Sequence, residues 1–374
     1  MTPLRKVLVI TVVWRLALAA IGIVAHFLSL PGDATFSLLK QEGWSSNPLT
    51  LALDSCVRYD AIWYGTIAHR GYTFTPGAPL STINFYPLFP LLVKALSFLT
   101  GDVWIAGILI ANLCLFGAVV LFHEWLRLRG LAEKAPLATV LLLVFPGSVF
   151  FGFMYTESLY LLLCLATFVL YERGRFIPAA ACAFLLTLTR PTGILVIVWV
   201  VLVALQNRRS WKAWLPGAGS ALGVAAFALY QLVTFGTPTA QIQAAASWPV
   251  TPRTVAQGIS DITLRQTPGH SPAALIMLEL TGITFLAVLP LVYRYFGSAY
   301  TGYALVSLVV PAVTGLASYQ RYLAVVFLVP AALAVWSGRR GGRLPNLTVF
   351  AWLWWYLIFM VAAAALYVSE GGAF

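Results

Sequence analysis

Residues 7–30 read VLVITVVWRLALAAIGIVAHFLSL, with one formal charge, Arg15, in 24 positions. A helix of about 20 such residues crosses the hydrocarbon core of a bilayer. The run follows Arg5 and Lys6, is too long for a signal-peptide core, and has no clean small-residue cleavage site after it. It therefore reads as a retained first transmembrane helix. The same apolar character returns at 103–125, 135–154, 158–172, 177–190, 193–207, 213–235, 273–293, 299–317, 322–337 and 346–368. The expectation is an all-α polytopic membrane protein with about 11 spans, forming one integral membrane domain over 1–374.

Composition agrees. Of 374 residues, 60% are hydrophobic and 9% charged, and the mean hydropathy is +0.87. Soluble domains are about half apolar and about a quarter charged. The 23 basic and 12 acidic residues cannot clothe a soluble particle of this length. A cytosolic enzyme, a disordered chain and a DNA-binding domain are excluded. The net charge of +11 does not point to nucleic acid, because the basic residues lie in small groups between apolar runs. With the N-terminus in the cytoplasm, 14 Lys and Arg fall on the inner side and 8 on the outer, with Arg15 inside the first helix. The inner loops are also much the shorter, so the positive-inside rule supports this orientation. Cys114, Cys164 and Cys182 lie within apolar runs and Cys56 has no loop partner, so no disulfide is expected.

Two outer segments are long: 31–102 and 236–272. The first is rich in Trp, Tyr, Phe and Pro, and should fold against the membrane face. Its centre, Val57–Arg70, has a helical period. Val57, Ala61, Trp63, Tyr64, Ile67 and Ala68 share one arc, while Arg58, Gly65, Thr66, His69 and Arg70 lie mostly on the other. A surface helix ending at Gly71 is expected. Asp60 falls within the apolar arc. It is either a partly desolvated acid, shifted toward general-base strength, or an acid capping a helix N-terminus. Asn84-Phe85-Tyr86-Pro87-Leu88-Phe89-Pro90 leads into a second short helix at Leu91–Thr100, which Lys94 makes a poor candidate to span.

Three further charges stand at outer helix boundaries: Glu157, Arg190 and Arg321. Each alone suits a snorkelling or solvated role. Together, two arginines and the acids of the same face suit recognition of a phosphate, such as a lipid phosphate at the outer leaflet. Arg15 is an intramembrane charge nearer the inner side, with snorkelling or a structural partner equally open. His26, His123 and His270 form no ligand spacing, so no metal site is expected. There is no Walker loop, dinucleotide fingerprint or G-x-S-x-G. The absence of a visible internal repeat weighs against a transporter or lipid flippase. That reading and a non-catalytic subunit remain the alternatives from other classes.

The order of these segments resembles the PIG-V family of mannosyltransferases, which add the second mannose in GPI-anchor synthesis. The resemblance rests on Tyr59-Asp60, on Ile67-Ala68-His69-Arg70-Gly71-Tyr72 and on Phe85-Tyr86-Pro87-Leu88-Phe89-Pro90. It continues in Phe145-Pro146-Gly147-Ser148-Val149-Phe150, Tyr155-Thr156-Glu157-Ser158-Leu159-Tyr160 and Glu172-Arg173-Gly174-Arg175. Arg190-Pro191-Thr192-Gly193 and Gln320-Arg321-Tyr322 complete it. It implies a GT-C glycosyltransferase: a multi-pass membrane enzyme whose first outer loop carries an acidic catalytic residue. The donor implied is a polyprenyl- or dolichyl-phosphate mannose, transferred with inversion to a glycolipid or glycan acceptor. Asp60 matches the family acid. Arg190 and Arg321 are expected at the donor phosphate, and Glu157, Tyr59, Tyr64, His69, Arg70, Tyr72 and Tyr86 in the substrate pocket. The phosphate already activates the leaving group, so no cofactor is required. The setting expected is a prokaryotic plasma membrane, or the endoplasmic reticulum in a eukaryote, with the active site outside.

Overall fold

The computed structural model describes residues 1–28, 53, 56–78, 81–207, 211–247, 260, 272–314, 318–337 and 353. The expected span at 346–368 and most of the second long outer segment lie outside them. Among the described residues there are α- and 3-10 helices and no strand, so the protein is an all-α polytopic membrane protein. In chain order the helices are α1 (Pro3–Leu28), α2 (Asp60–Arg70), α3 (Leu88–Thr100), α4 (Val103–Arg127), α5 (Ala135–Leu143), α6 (Glu157–Glu172) and α7 (Phe176–Thr187). They continue with α8 (Val196–Asn207), α9 (Leu215–Phe235), α10 (Ala240–Ala246), α11 (Pro272–Phe296), α12 (Ser298–Thr314), α13 (Tyr319–Ala324) and α14 (Leu328–Ser337).

Four of the described helices, in α1, α4, α9 and α11, are long and apolar enough to cross a bilayer. Several of the other expected spans are shortened or broken, and proline is the reason in three places. The expected span 135–154 is α5 followed by a 3-10 turn at Pro146–Phe151. Pro146 disfavours helical backbone at the residue before it, and Phe145 is extended (φ −61°, ψ 139°). The expected span 193–207 begins with a 3-10 turn, Pro191–Leu195, after an extended Arg190. The expected span 322–337 is two helices, α13 and α14, with Pro330 in the first turn of α14, where its missing N–H costs nothing. Broken helices at membrane depth are tolerated where protein, not lipid, surrounds them.

Packing sorts the bundle into a lipid face and a core. Leu113 on α4 and Val233 on α9 are 67% and 78% exposed, as side chains turned to lipid would be. The core is aromatic: Phe168 of α6 meets Trp199 of α8 at 4.4 Å between ring centroids, and Trp125 of α4 meets Phe327 at 5.1 Å. α6 fixes the long dimension. Its first residue is Glu157 and its last Glu172, about 22 Å apart at the α-helical rise. Among the described residues, charge clusters stand at both ends of α6. At the far end Arg129 donates to Glu172 at 2.9 Å, Tyr300 also donates to Glu172, and Glu124 pairs with Arg127 and Arg173.

Candidate active site

The near end of α6 holds the second charge cluster, built from four separate parts of the chain. Arg321 of α13 bridges two acids. Its Nη1 donates to Asp60 Oδ2 at 2.5 Å, and its Nε donates to Glu157 Oε1 at 2.7 Å. Arg190 Nη1 donates to the same Glu157 oxygen at 2.9 Å. The formal charges sum to zero. Glu157 is 0%, Arg190 6% and Arg321 9% exposed, whereas the Asp60 side chain keeps 27% of its surface. Asp60 is thus the member of the network that faces outward. Aromatic rings wall the guanidiniums: Arg321 lies 4.6 Å from the Tyr155 centroid and 5.0 Å from that of Phe150, and Arg190 lies 4.4 Å from that of Tyr322.

Local sequence explains each placement. Gly147 sits against α13: a Cβ there would come within 2.3 Å of the Gln320 carbonyl oxygen. The residue next to that carbonyl is Arg321, so the Phe-Pro-Gly-Ser turn sets its position. Gly193 does the same for Arg190, since a Cβ would stand 2.5 Å from the Leu186 carbonyl oxygen. Asp60 is the first residue of α2 and follows Tyr59, the one non-glycine residue with positive φ (52°) among the described residues. Such backbone is costly and is held only where surroundings over-determine it. Here Tyr155 supplies the hold. Its hydroxyl donates to the Arg58 carbonyl at 3.0 Å and accepts from the Asp60 N–H at 3.3 Å.

The helix is shorter than expected at its start, and this changes two assignments. Val57–Tyr59 are not helical, so helix phase does not orient Arg58; it is buried (3% exposed) rather than on a polar face. Asp60 is partly desolvated, one of the two readings expected from the sequence, with 27% of its side-chain surface exposed; it is not the capping acid. The cap position belongs to Tyr59, which makes no side-chain cap bond, and the Asp60 carboxylate is neutralised by Arg321. Gly65, expected on the polar arc, is buried against Trp104. The helix does end at Gly71. Arg15 reaches the loop and not the inner side. It donates to Asn112 Oδ1 at 2.7 Å and to Cys56 Sγ at 3.3 Å, and so pins the chain just before Arg58.

The remaining candidates divide into three groups. Tyr64 lies inside the site, edge-on to Tyr155 at 6.4 Å and to Phe89 at 5.1 Å. Burial, then the Asp60 charge, pushes its phenol above the ordinary value, so it is a neutral donor. Tyr72 and Tyr86 form a neighbouring aromatic wall with Phe227 of α9, at 6.3 and 4.9 Å. Tyr72 also donates to the Phe85 carbonyl at 2.8 Å. Burial raises both phenols, that of Tyr86 to about 12. His69 and Arg70 are exposed at the opposite end of α2 and do not join the cluster. The sequence reading missed Tyr155, Phe150 and Tyr322. Tyr155 and Tyr322 stand within two residues of Glu157 and Arg321, which was the available signal; Phe150 is seven residues from Glu157 and carried none. No group of three or more His, Cys, Asp and Glu able to hold a metal occurs among the described residues.

No family model matches the sequence, and no curated protein matches it. Solved structures do. The oligosaccharyltransferase of Archaeoglobus fulgidus, in complex with zinc and sulfate, aligns with a TM-score of 0.51 at 15% identity, over 94% of this chain and 53% of that one. ArnT from Cupriavidus metallidurans, bound to undecaprenyl phosphate, aligns with a TM-score of 0.50 at 14% identity, over 96% of this chain and 74% of that one. The chain spans about half the length of the oligosaccharyltransferase it matches. These likenesses show the fold: this chain shares the all-α, multi-helix membrane architecture of those two structures.

Proposed function

We propose that the protein is an inverting glycosyltransferase that moves a sugar from a polyprenyl-phosphate donor to an acceptor hydroxyl at the outer membrane face. The observation that carries this reading is the Asp60–Arg321–Glu157–Arg190 network. It joins a partly exposed acid to two buried guanidiniums, the parts needed for a base and a phosphate clamp. The shared membrane architecture supports it. So does the neighbour whose structure contains undecaprenyl phosphate, a ligand of the chemistry required here. Mannose as the sugar, and a glycolipid or glycan as the acceptor, rest on the resemblance to PIG-V enzymes.

In this mechanism Asp60 accepts the proton of the acceptor hydroxyl. The freed oxygen pair attacks the anomeric carbon from the face opposite the phosphate. The bond between that carbon and the phosphate oxygen breaks, and its electron pair leaves with the polyprenyl phosphate. Arg321 and Arg190 stabilise the charge that collects there. Each guanidinium carries N–H donors beyond those used for the acids. Arg321 cannot serve both anions equally. A donor phosphate draws part of the guanidinium charge away from Asp60. Tyr64 donates a hydrogen bond to the sugar or the phosphate from beside the acid.

The test uses purified protein in detergent, radiolabelled mannosyl phosphoryl polyprenol and a membrane-lipid extract. Transfer of label to a new product, lost in Asp60→Asn, is the expected result. Label transfer undiminished in Asp60→Asn removes the base assignment. Lipid movement in reconstituted vesicles without any sugar transfer would instead favour a flippase.

A further inference from the structure

Three buried side chains form a hydrogen-bonded line that ends at the Arg190 turn and that the transfer mechanism does not use. Tyr160 and Cys164 lie one turn apart on α6, and Tyr303 meets them from α12; they are 1%, 0% and 1% exposed. The Tyr160 hydroxyl stands 3.2 Å from the Thr192 carbonyl oxygen and 3.3 Å from the Tyr303 hydroxyl. The Tyr303 hydroxyl stands 3.2 Å from Cys164 Sγ. The proton directions follow by elimination. A carbonyl only accepts, so the single hydroxyl proton of Tyr160 goes to Thr192. Tyr303 must then donate to Tyr160, and the Cys164 thiol to Tyr303.

Arg190 is extended (φ −157°, ψ 153°), and Pro191–Leu195 form the 3-10 turn after it, with the Gly193 N–H on the Arg190 carbonyl at 3.0 Å. The Thr192 hydroxyl is buried without a partner among the described residues, so its carbonyl is the part of the turn that Tyr160 holds. The second guanidinium hangs from the same helix, α12. Tyr319, two residues before Arg321, donates to the Leu308 carbonyl of α12 at 3.2 Å. Tyr303 and Leu308 are five residues apart, about 7.5 Å along the helix. Both arginine-bearing segments are thus tied to one regular element, which holds side chains more precisely than loops do.

We propose that α12 sets the spacing of the two guanidiniums, with Tyr160 as a positioning residue for Arg190 and Tyr319 for Arg321. This rests on the reading of those arginines as the donor-phosphate clamp. Both tyrosines act through the arginines and not on the phosphate. Tyr160 fixes the turn from which Arg190 reaches Glu157, and Tyr303 and Cys164 fix Tyr160. Two guanidiniums share one phosphate best at one separation, so a loosened turn costs donor affinity before it costs chemistry.

The probe is radiolabelled polyprenyl phosphate, bound to the full chain in detergent, with transfer kinetics read on the same samples. Tyr160→Phe keeps the ring and removes one hydrogen bond. Its dissociation constant should rise about fivefold, with donor KM following and kcat changed less than about twofold. In the Arg190→Ala background the same substitution should add nothing, whereas Tyr319→Phe should weaken binding in both backgrounds. Thr167→Val is the control: it removes another buried hydroxyl of α6, one bonded to Leu163 within the helix, and should leave affinity unchanged. Tyr303→Phe removes only the outer link and should shift affinity the same way by less, which carries the test if Tyr160→Phe does not fold. Wild-type affinity in monodisperse Tyr160→Phe, or in Tyr303→Phe where only that variant folds, overturns the inference. So does a loss that persists undiminished in Arg190→Ala, or an equal loss in Thr167→Val. Wild-type protein that does not retain the probe overturns the clamp reading itself, a result seen before any variant is made.

Discussion

Replacing Glu157 by Gln removes the one carboxylate shared by Arg190 and Arg321 while keeping its shape. Glu157 is 0% exposed and its Oε1 accepts from Arg321 at 2.7 Å and Arg190 at 2.9 Å. The variant leaves two buried guanidiniums opposite the single charge of Asp60. Breaking a buried ion pair by removing one partner costs about 3–5 kcal/mol. The Gln amide oxygen still accepts hydrogen bonds, so the lower end, about 3 kcal/mol, is expected for Glu157→Gln. Arg190→Gln alone should cost a similar amount, because it leaves Glu157 with Arg321 only. The double variant removes one charge of each sign and should fall short of the sum of the singles by about 1–3 kcal/mol. Denaturant unfolding in detergent, followed by tryptophan fluorescence, reads all four corners of the cycle. Additivity within about 0.5 kcal/mol would refute the claim that these residues form one energetic unit.

Three other substitutions probe the supports. Gly147→Ala forces a Cβ to within 2.3 Å of the Gln320 carbonyl oxygen, so α13 must shift; transfer assays should show a drop of at least about tenfold, as misplacement by an ångström can cost more. Tyr155→Phe loses the hydroxyl between the Arg58 carbonyl and the Asp60 N–H; stability should fall by about 1 kcal/mol, with kcat reduced more than donor KM changes. Arg15→Leu abolishes the bonds to Asn112 and Cys56; limited proteolysis should then cut the 53–60 segment faster than in the wild type.

The all-α class and most helix positions were legible because apolar runs in a membrane protein are long and unmistakable. The breaks were less so. Pro146, Pro191 and Pro330 are visible in sequence, yet whether a proline kinks, caps or ends a helix depends on what surrounds it; here Pro146 and Pro191 each open a 3-10 turn and Pro330 stands in the first turn of α14. The charged residues of the network were legible singly, as Asp60, Glu157, Arg190 and Arg321 at helix boundaries. Their pairing was not, since the separations run to 261 residues. The face of Arg58 was misread because a periodic plot assumes a helix throughout, and that of Gly65 on α2 because Trp104 packs against it from a distant part of the chain. The left-handed backbone at Tyr59 starts that helix only at Asp60. Such a residue has no sequence signal until the hydroxyl of Tyr155 is known to hold it.

The central claim is that Asp60 is the base of a polyprenyl-phosphate-dependent transfer. The direct measurement is single-turnover transfer from radiolabelled mannosyl phosphoryl polyprenol by wild type and Asp60→Asn, with donor binding measured on the same samples. The account expects turnover to fall by at least about a hundredfold while donor affinity is retained or rises, because Arg321 no longer faces a competing carboxylate. Wild-type turnover in Asp60→Asn, with donor bound, would contradict it.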